Sequence, residues 1–145
     1  MIGCRIAYVL DPYLAVFRQS ELSNRTERAA IEAEIGCEAA DSIRYDADHT
    51  LFFDDGGLRD GITHYTMLEG YPDPLVGKLV LLHSDFSEQK PTLSMQRALA
   101  RFQCYRAVMD PIIKTSSTVK DDLTNFITGV SEFKLRIEQV VIAIR

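Results

Sequence analysis

Cysteine is scarce and scattered in this chain of 145 residues: Cys4, Cys37 and Cys104, an odd number with no CxxC pair. A disulfide scaffold or a zinc site needs more, and closer, ligands, so both classes are excluded. Buried free thiols are the expected state of all three. Histidine is equally sparse, at positions 49, 64 and 83, which fits no close-spaced metal motif. Cations are outnumbered, with 16 Lys and Arg against 21 Asp and Glu and a formal charge of -5. A net acidic chain is a poor general phosphate binder, so direct nucleic-acid binding is not expected. Long apolar runs are missing as well. The longest aliphatic stretch, 140–144, is far too short to span a bilayer, and the first residues carry no signal-peptide pattern. A cytoplasmic protein without membrane contact is expected.

What is present is ordinary globular composition, 46% hydrophobic and 26% charged, in a length that suits one domain. Residues 5–10 are β-branched and aliphatic and end at Asp11-Pro12, so a first strand and turn are expected, with a second strand over 13–19 completing a hairpin. Asn24 with Glu27 three residues later reads as a capping box for a helix through Ala30, Ile31 and Ile35, stopped by Gly36. Strands are expected over 37–44, 50–53, 64–68 and 79–83. Asp54-Asp55-Gly56-Gly57 and Leu58-Arg59-Asp60-Gly61 read as turns, and Gly70-Tyr71-Pro72-Asp73-Pro74 as a rigid loop, because each Pro fixes its own φ and restricts its predecessor.

Beyond residue 86 the pattern changes. Thr92 or Ser94 can cap a helix through Met95 and Leu99, whereas 102–108 fits helix or strand equally well. Another helix is expected from Thr118. Phe133, Leu135 and Ile137 then alternate against Lys134, Arg136 and Glu138, and 140–144 is apolar on both faces. This ending reads as a strand going from half-exposed to buried, or reaching into a subunit interface. The fold class is α+β, a mainly antiparallel sheet with two or three helices packed on it. Residues 1–86 form the α+β unit, and 87–145 are a helix-and-strand extension packed in the same globule.

The known catalytic patterns fail one by one. Gly70 to Lys78 has six residues between its glycines, two of them Pro, and Leu79 after the Lys, so it is no P-loop. The acidic turn at 54–57 lacks the alternating ligands of a calcium loop. No GxSxG elbow occurs, and Cys37 has no evident base to activate it. No catalytic residue, metal site or cofactor is expected. The binding candidates are Asp54 and Asp55 in the acidic turn and His64, Tyr65 and Tyr71 around the Gly-Tyr-Pro loop, where rigid backbone and aromatic rings suit stacking or a protein contact. The competing expectation for Tyr71 is packing over the sheet edge. A dispersed site of His49, His64 and Asp54 or Asp55 is the remaining enzymatic option.

The runs Leu51-Phe52-Phe53-Asp54-Asp55-Gly56-Gly57-Leu58-Arg59-Asp60-Gly61 and Glu69-Gly70-Tyr71-Pro72-Asp73-Pro74-Leu75-Val76-Gly77-Lys78 resemble a small family of uncharacterised domains of bacteriophages and other mobile genetic elements. The likeness covers roughly residues 5–85. It implies a compact α+β unit, a mobile-element origin and, for a phage-encoded chain, residence in the host cytoplasm; it supplies no catalytic residue. Small proteins of that kind act by binding, so the expected partner is a host protein that the chain inhibits, in anti-phage defence for example. The alternative is a homodimeric or larger sponge for a nucleotide-like small molecule.

Overall fold

A computed structural model of the chain describes residues 5–23, 27–57, 63–85, 87–113 and 130–145. These residues form a mixed, mostly β structure of two sheets and two helices. The larger sheet has the order β3 (Ala40–Arg44), β4 (His49–Asp54), β6 (Leu79–His83), β1 (Arg5–Asp11), β2 (Val16–Leu22), β9 (Ala143–Ile144), and the smaller one the order β5 (His64–Leu68), β7 (Phe102–Ile113), β8 (Val130–Val140). All pairings are antiparallel except β2 with β9.

The strands at the centre of the larger sheet are its most apolar. β1 (Arg5–Asp11) and β6 (Leu79–His83) lie side by side, with Val9 opposite Val80. Successive side chains of a strand point to opposite faces, so a strand covered on both sides needs an unbroken apolar run. Tyr8, Leu10, Leu79 and Leu81 accordingly enter one core, and Ala7, Val9, Val80 and Leu82 the other. The second core is closed by helix α1 (Glu27–Ile35), whose Ala30, Ile31 and Ile35 are buried. Gly36 ends that helix at φ +81°, and the N–H groups of Gly36 and Cys37 both bond the Glu32 carbonyl. An L-residue is strained at that φ, which is why the stop falls on glycine. The first core is closed by the smaller sheet and by α2 (Met95–Leu99). Ser94 caps α2 by accepting the Arg97 N–H, as its sequence position predicts. The Tyr45 hydroxyl donates to the Ala98 carbonyl and the Tyr8 hydroxyl to that of Leu93, binding this layer to the larger sheet.

Several expectations shift. β2 (Val16–Leu22) starts three residues late, because the Asp11 carboxylate accepts the N–H groups of Tyr13 and Leu14 and holds 12–15 as the turn. β3 (Ala40–Arg44) also starts late, since Cys37 still belongs to the helix stop. β4 (His49–Asp54) and β5 (His64–Leu68) fall where expected. The open question at 102–108 resolves as strand: β7 (Phe102–Ile113) follows α2 directly. The ending 140–144 is half-covered: Val140 and Ile142 pack against the first core, while the residues between and after them are exposed. After β8 (Val130–Val140), Val141 is 88% exposed, and β9 (Ala143–Ile144) only flanks the edge of β2. The Asn24 cap, the turn at 58–61 and the helix expected from Thr118 lie outside the described residues. Strand pairing crosses the boundary at residue 86 twice, through β5 with β7 and through β2 with β9.

Candidate interaction surface

The five sequence candidates occupy separate places. Asp54 and Asp55 share a depression with Gly36, Cys37, Glu38 and Ala39. There the Asp54 carboxylate accepts the Gly56 N–H at 2.9 Å, the bond of an ordinary turn. The thiol of Cys37 in the same depression is pushed up by burial and then by the negative charges of Asp54 and Glu32, the opposite of nucleophile activation. His64 packs its ring on Tyr13, with centroids 4.9 Å apart, beside the β1–β2 turn. Tyr65 points to the other face of β5 and stacks on Tyr105 at 5.3 Å. Tyr71 packs against the first core, which is the edge-packing outcome.

The dispersed His and Asp groups are likewise apart. His49 is 2% exposed and has both ring nitrogens engaged. Its Nδ1 bonds the Asp46 carboxylate at 2.8 Å, and its Nε2 accepts the Thr92 N–H at 3.0 Å. Its nearest histidine is His83, at 5.0 Å between centroids, rather than His64. This is a structural imidazole joining the β3–β4 turn to the segment before α2. Among the described residues no group of three or more His, Cys, Asp or Glu is placed to hold a metal ion.

Two further features lie apart from the five candidates. The first is a cavity of about 450 Å³ between α1 and strands β3, β4 and β6, with Ile31, Phe52 and Leu82 as apolar walls and Ser42, Thr50 and His83 as polar ones. The second is larger in extent. Among the described residues β5 pairs with β7 as far as Arg106, with one further bond from the Ala107 N–H to the Thr63 carbonyl, and β7 and β8 continue beyond it as a two-stranded ribbon. The register sets Ala107 opposite Ile137, Met109 opposite Leu135 and Pro111 opposite Phe133. These six side chains share one face of the ribbon, the face that carries Tyr105 and Tyr65 farther along. The other face continues from the buried Phe102 and Cys104 but becomes charged. There Arg136 bonds Asp110 at 2.6 Å and also Glu138, and Arg106 bonds Glu138 at 2.7 Å. Hydrogen bonds from Arg136 and Arg106 hold the Glu138 carboxyl below the usual range.

The alternation in 133–138 is therefore real, but the apolar residues are those left in solvent. Phe133 is 57% exposed, Leu135 62%, Ile137 50% and Met109 63%. A contiguous apolar face of this kind, with charges behind it, is what protein–protein contact surfaces have and free surfaces seldom have. The period-2 signal was legible; which side would be covered was not.

The chain is 40% identical over 136 residues to the uncharacterised protein y4iR of Sinorhizobium fredii (strain NBRC 101917 / NGR234), covering 92% of this chain and 84% of that protein. It is 34% identical over 125 residues to protein PsiB of Rhizobium leguminosarum bv. phaseoli, covering 85% and 93%. The chain belongs to the family of y4iR and PsiB. No family model and no solved structure matches it. The match to y4iR leaves fewer residues uncovered than the 12 of β7 and the 11 of β8 contain, so the ribbon falls at least partly within the shared length. No helix among the described residues is long and apolar enough to cross a membrane.

Proposed function

We propose that the chain is a non-catalytic accessory protein of a bacteriophage or other mobile genetic element, which acts by binding and inhibiting a host factor in the host cytoplasm, with anti-phage defence as one setting. The observation that carries this reading is the exposed apolar face of the ribbon around Met109, Phe133, Leu135 and Ile137. Leaving that many large side chains in water is costly unless a partner covers them. The resemblance of the Gly-Tyr-Pro segment to mobile-element domains supports the origin, and the turn bonding of Asp54 and the packing of Tyr71 support binding over catalysis.

The test compares the full chain with Met109→Asp as bait in host lysate, with circular dichroism to verify the fold. Retention of one host protein by the parent chain and its loss with Met109→Asp is expected. Equal retention by both, or by neither, overturns the reading. The cavity beneath α1 favours a second reading, a small-molecule binder, because its volume lies in the usual range for ligand pockets. A nucleotide or cyclic dinucleotide at 100 times its dissociation constant would then stabilise the chain by about 2.7 kcal/mol in a thermal-shift screen. No shift with any of them removes that reading.

A further inference from the structure

We infer that two copies of this chain join through the open edge of β8, antiparallel and centred on Ile137, to make one continuous six-stranded sheet from their two small sheets. The inference does not rest on the proposed inhibition of a host factor.

The backbone shows which groups of β8 are free to do this. The Ala107 N–H donates to the Thr63 carbonyl at 2.8 Å, so the polar backbone groups of Ala107 point toward β5 and away from β8. Residues opposite one another in an antiparallel pair alternate between exchanging hydrogen bonds and directing them outward. Ala107 is opposite Ile137, so Ile137 must direct its N–H and C=O to the other side, the outer edge of β8. The same alternation applies to Phe133, Leu135 and Gln139. The bridge between Thr66 and Leu75 checks the phase independently. Thr66 exchanges both its bonds with Leu75, so its partner Cys104 points to β8, and the even-numbered residues of β7 and β8 bond one another. Among the described residues nothing pairs with the outer edge of β8. A two-stranded ribbon is marginal in water by itself and gains from a third strand. A long edge without Pro is also a template for pairing.

Side-chain charge selects the partner and the register. In a two-fold pair each position faces its mirror across the centre. Centring on Ile137 places Arg136 opposite the second copy's Glu138, twice, and Leu135 opposite Gln139. Centring on Leu135 places Lys134 opposite Arg136. Centring on Arg136 or on Glu138 sets like charges directly against each other. Opposite charges across strands are favourable and like charges unfavourable, so only the Ile137 register is self-complementary among these four. It also brings the two apolar faces side by side as one surface.

Sedimentation of the full chain, with two variants, tests this. The parent chain is expected to sediment as a dimer at micromolar concentration. Ile137→Pro removes an N–H that points outward and spares the bonds to β7, so it should give a folded monomer. Ile137→Cys should form a disulfide-linked dimer on mild oxidation, since the facing Cα atoms would lie about 5.5 Å apart, within disulfide reach. Leu135→Cys should not, being displaced by four residues from its copy. A monomeric parent chain, a dimer indifferent to Ile137→Pro, or cross-linking at 135 but not at 137 overturns the inference. So does a monomer whose edge takes up an extended segment of another protein. Loss of host-protein capture with Met109→Asp leaves the sedimentation result untouched, so the two proposals fail separately.

Discussion

Replacing His49 by Ala removes the side chain whose ring nitrogen bonds the Thr92 backbone from β4. The ring is 2% exposed. Because Nε2 accepts a backbone N–H, the proton of the neutral ring must sit on Nδ1, where it donates to Asp46. Two net hydrogen bonds at about 1 kcal/mol each, with the partly collapsed space left by a buried ring, come to about 2–4 kcal/mol. For a chain of this length that lowers Tm by something on the order of 10 °C. Urea unfolding followed by circular dichroism measures it, and Asp46→Ala with the double variant completes a cycle. Coupling above about 0.5 kcal/mol is expected for groups in contact. A loss below about 1 kcal/mol for His49→Ala, or full additivity in the cycle, would refute the clasp. Its acid dependence has a definite sign. Burial raises the Asp46 carboxyl, but bonds from the His49 ring and from the backbone N–H groups of Asp48 and His49 outweigh it and hold the group below its ordinary value. Its stabilisation is therefore complete above the unfolded value, about 3.9, and is lost as pH falls through the lower folded one. Asp46→Asn should flatten the acid limb of stability below about pH 4; an unchanged limb counts against the assignment.

Other outcomes follow from single positions. Leu81→Ala, at 1% exposure in the first core, should cost about 2–5 kcal/mol in denaturant unfolding, and a loss under 1 kcal/mol would mean the core is not where it is drawn. Gly36→Ala and Ala15→Gly should move stability in opposite directions by about 1 kcal/mol, because Gly36 sits at φ +81° and Ala15 at φ +57°. Shifts of the same sign in calorimetry would contradict those backbone angles. Cys104, 2% exposed and with its thiol pushed up by burial, should resist alkylation in the native state, while Cys37 should react more slowly than a free thiol and faster after Asp54→Asn. Mass spectrometry of labelled peptides reads this, and rapid native labelling of Cys104 would place it elsewhere.

The parts legible in the sequence are those whose local chemistry leaves one answer. Asp11-Pro12 marks the end of β1, Gly36 the end of α1, and Ser94 the start of α2, each through a backbone requirement satisfied nearby. What was not legible depends on contacts distant in sequence. Residues 102–108 became strand because β5 and β8 flank them, a fact located at 64–68 and 130–140. For Tyr71 the sequence left a surface role and packing over the sheet edge both open, and only the fold brings its ring against the first core; the Asp54 carboxylate bonds the Gly56 N–H of its own turn. The period-2 pattern in 133–138 gave the strand and its two faces, but periodicity says nothing about which face a fold will leave uncovered.

Strand β9 joins the larger sheet by a parallel pairing, Val16 with Ala143 and Phe17 with Ile144, and its N–H groups at 143 and 145 bond the carbonyls of Ala15 and Phe17. The chain must therefore complete the whole ribbon excursion before the edge of β2 can close. During synthesis that edge stays open while every other strand of the larger sheet is already made. Contacts across so long a separation form slowly, and an open edge is vulnerable to pairing with a neighbour. Folding of this protein thus has an exposed interval whose length is set by the time taken to make residues 84–142.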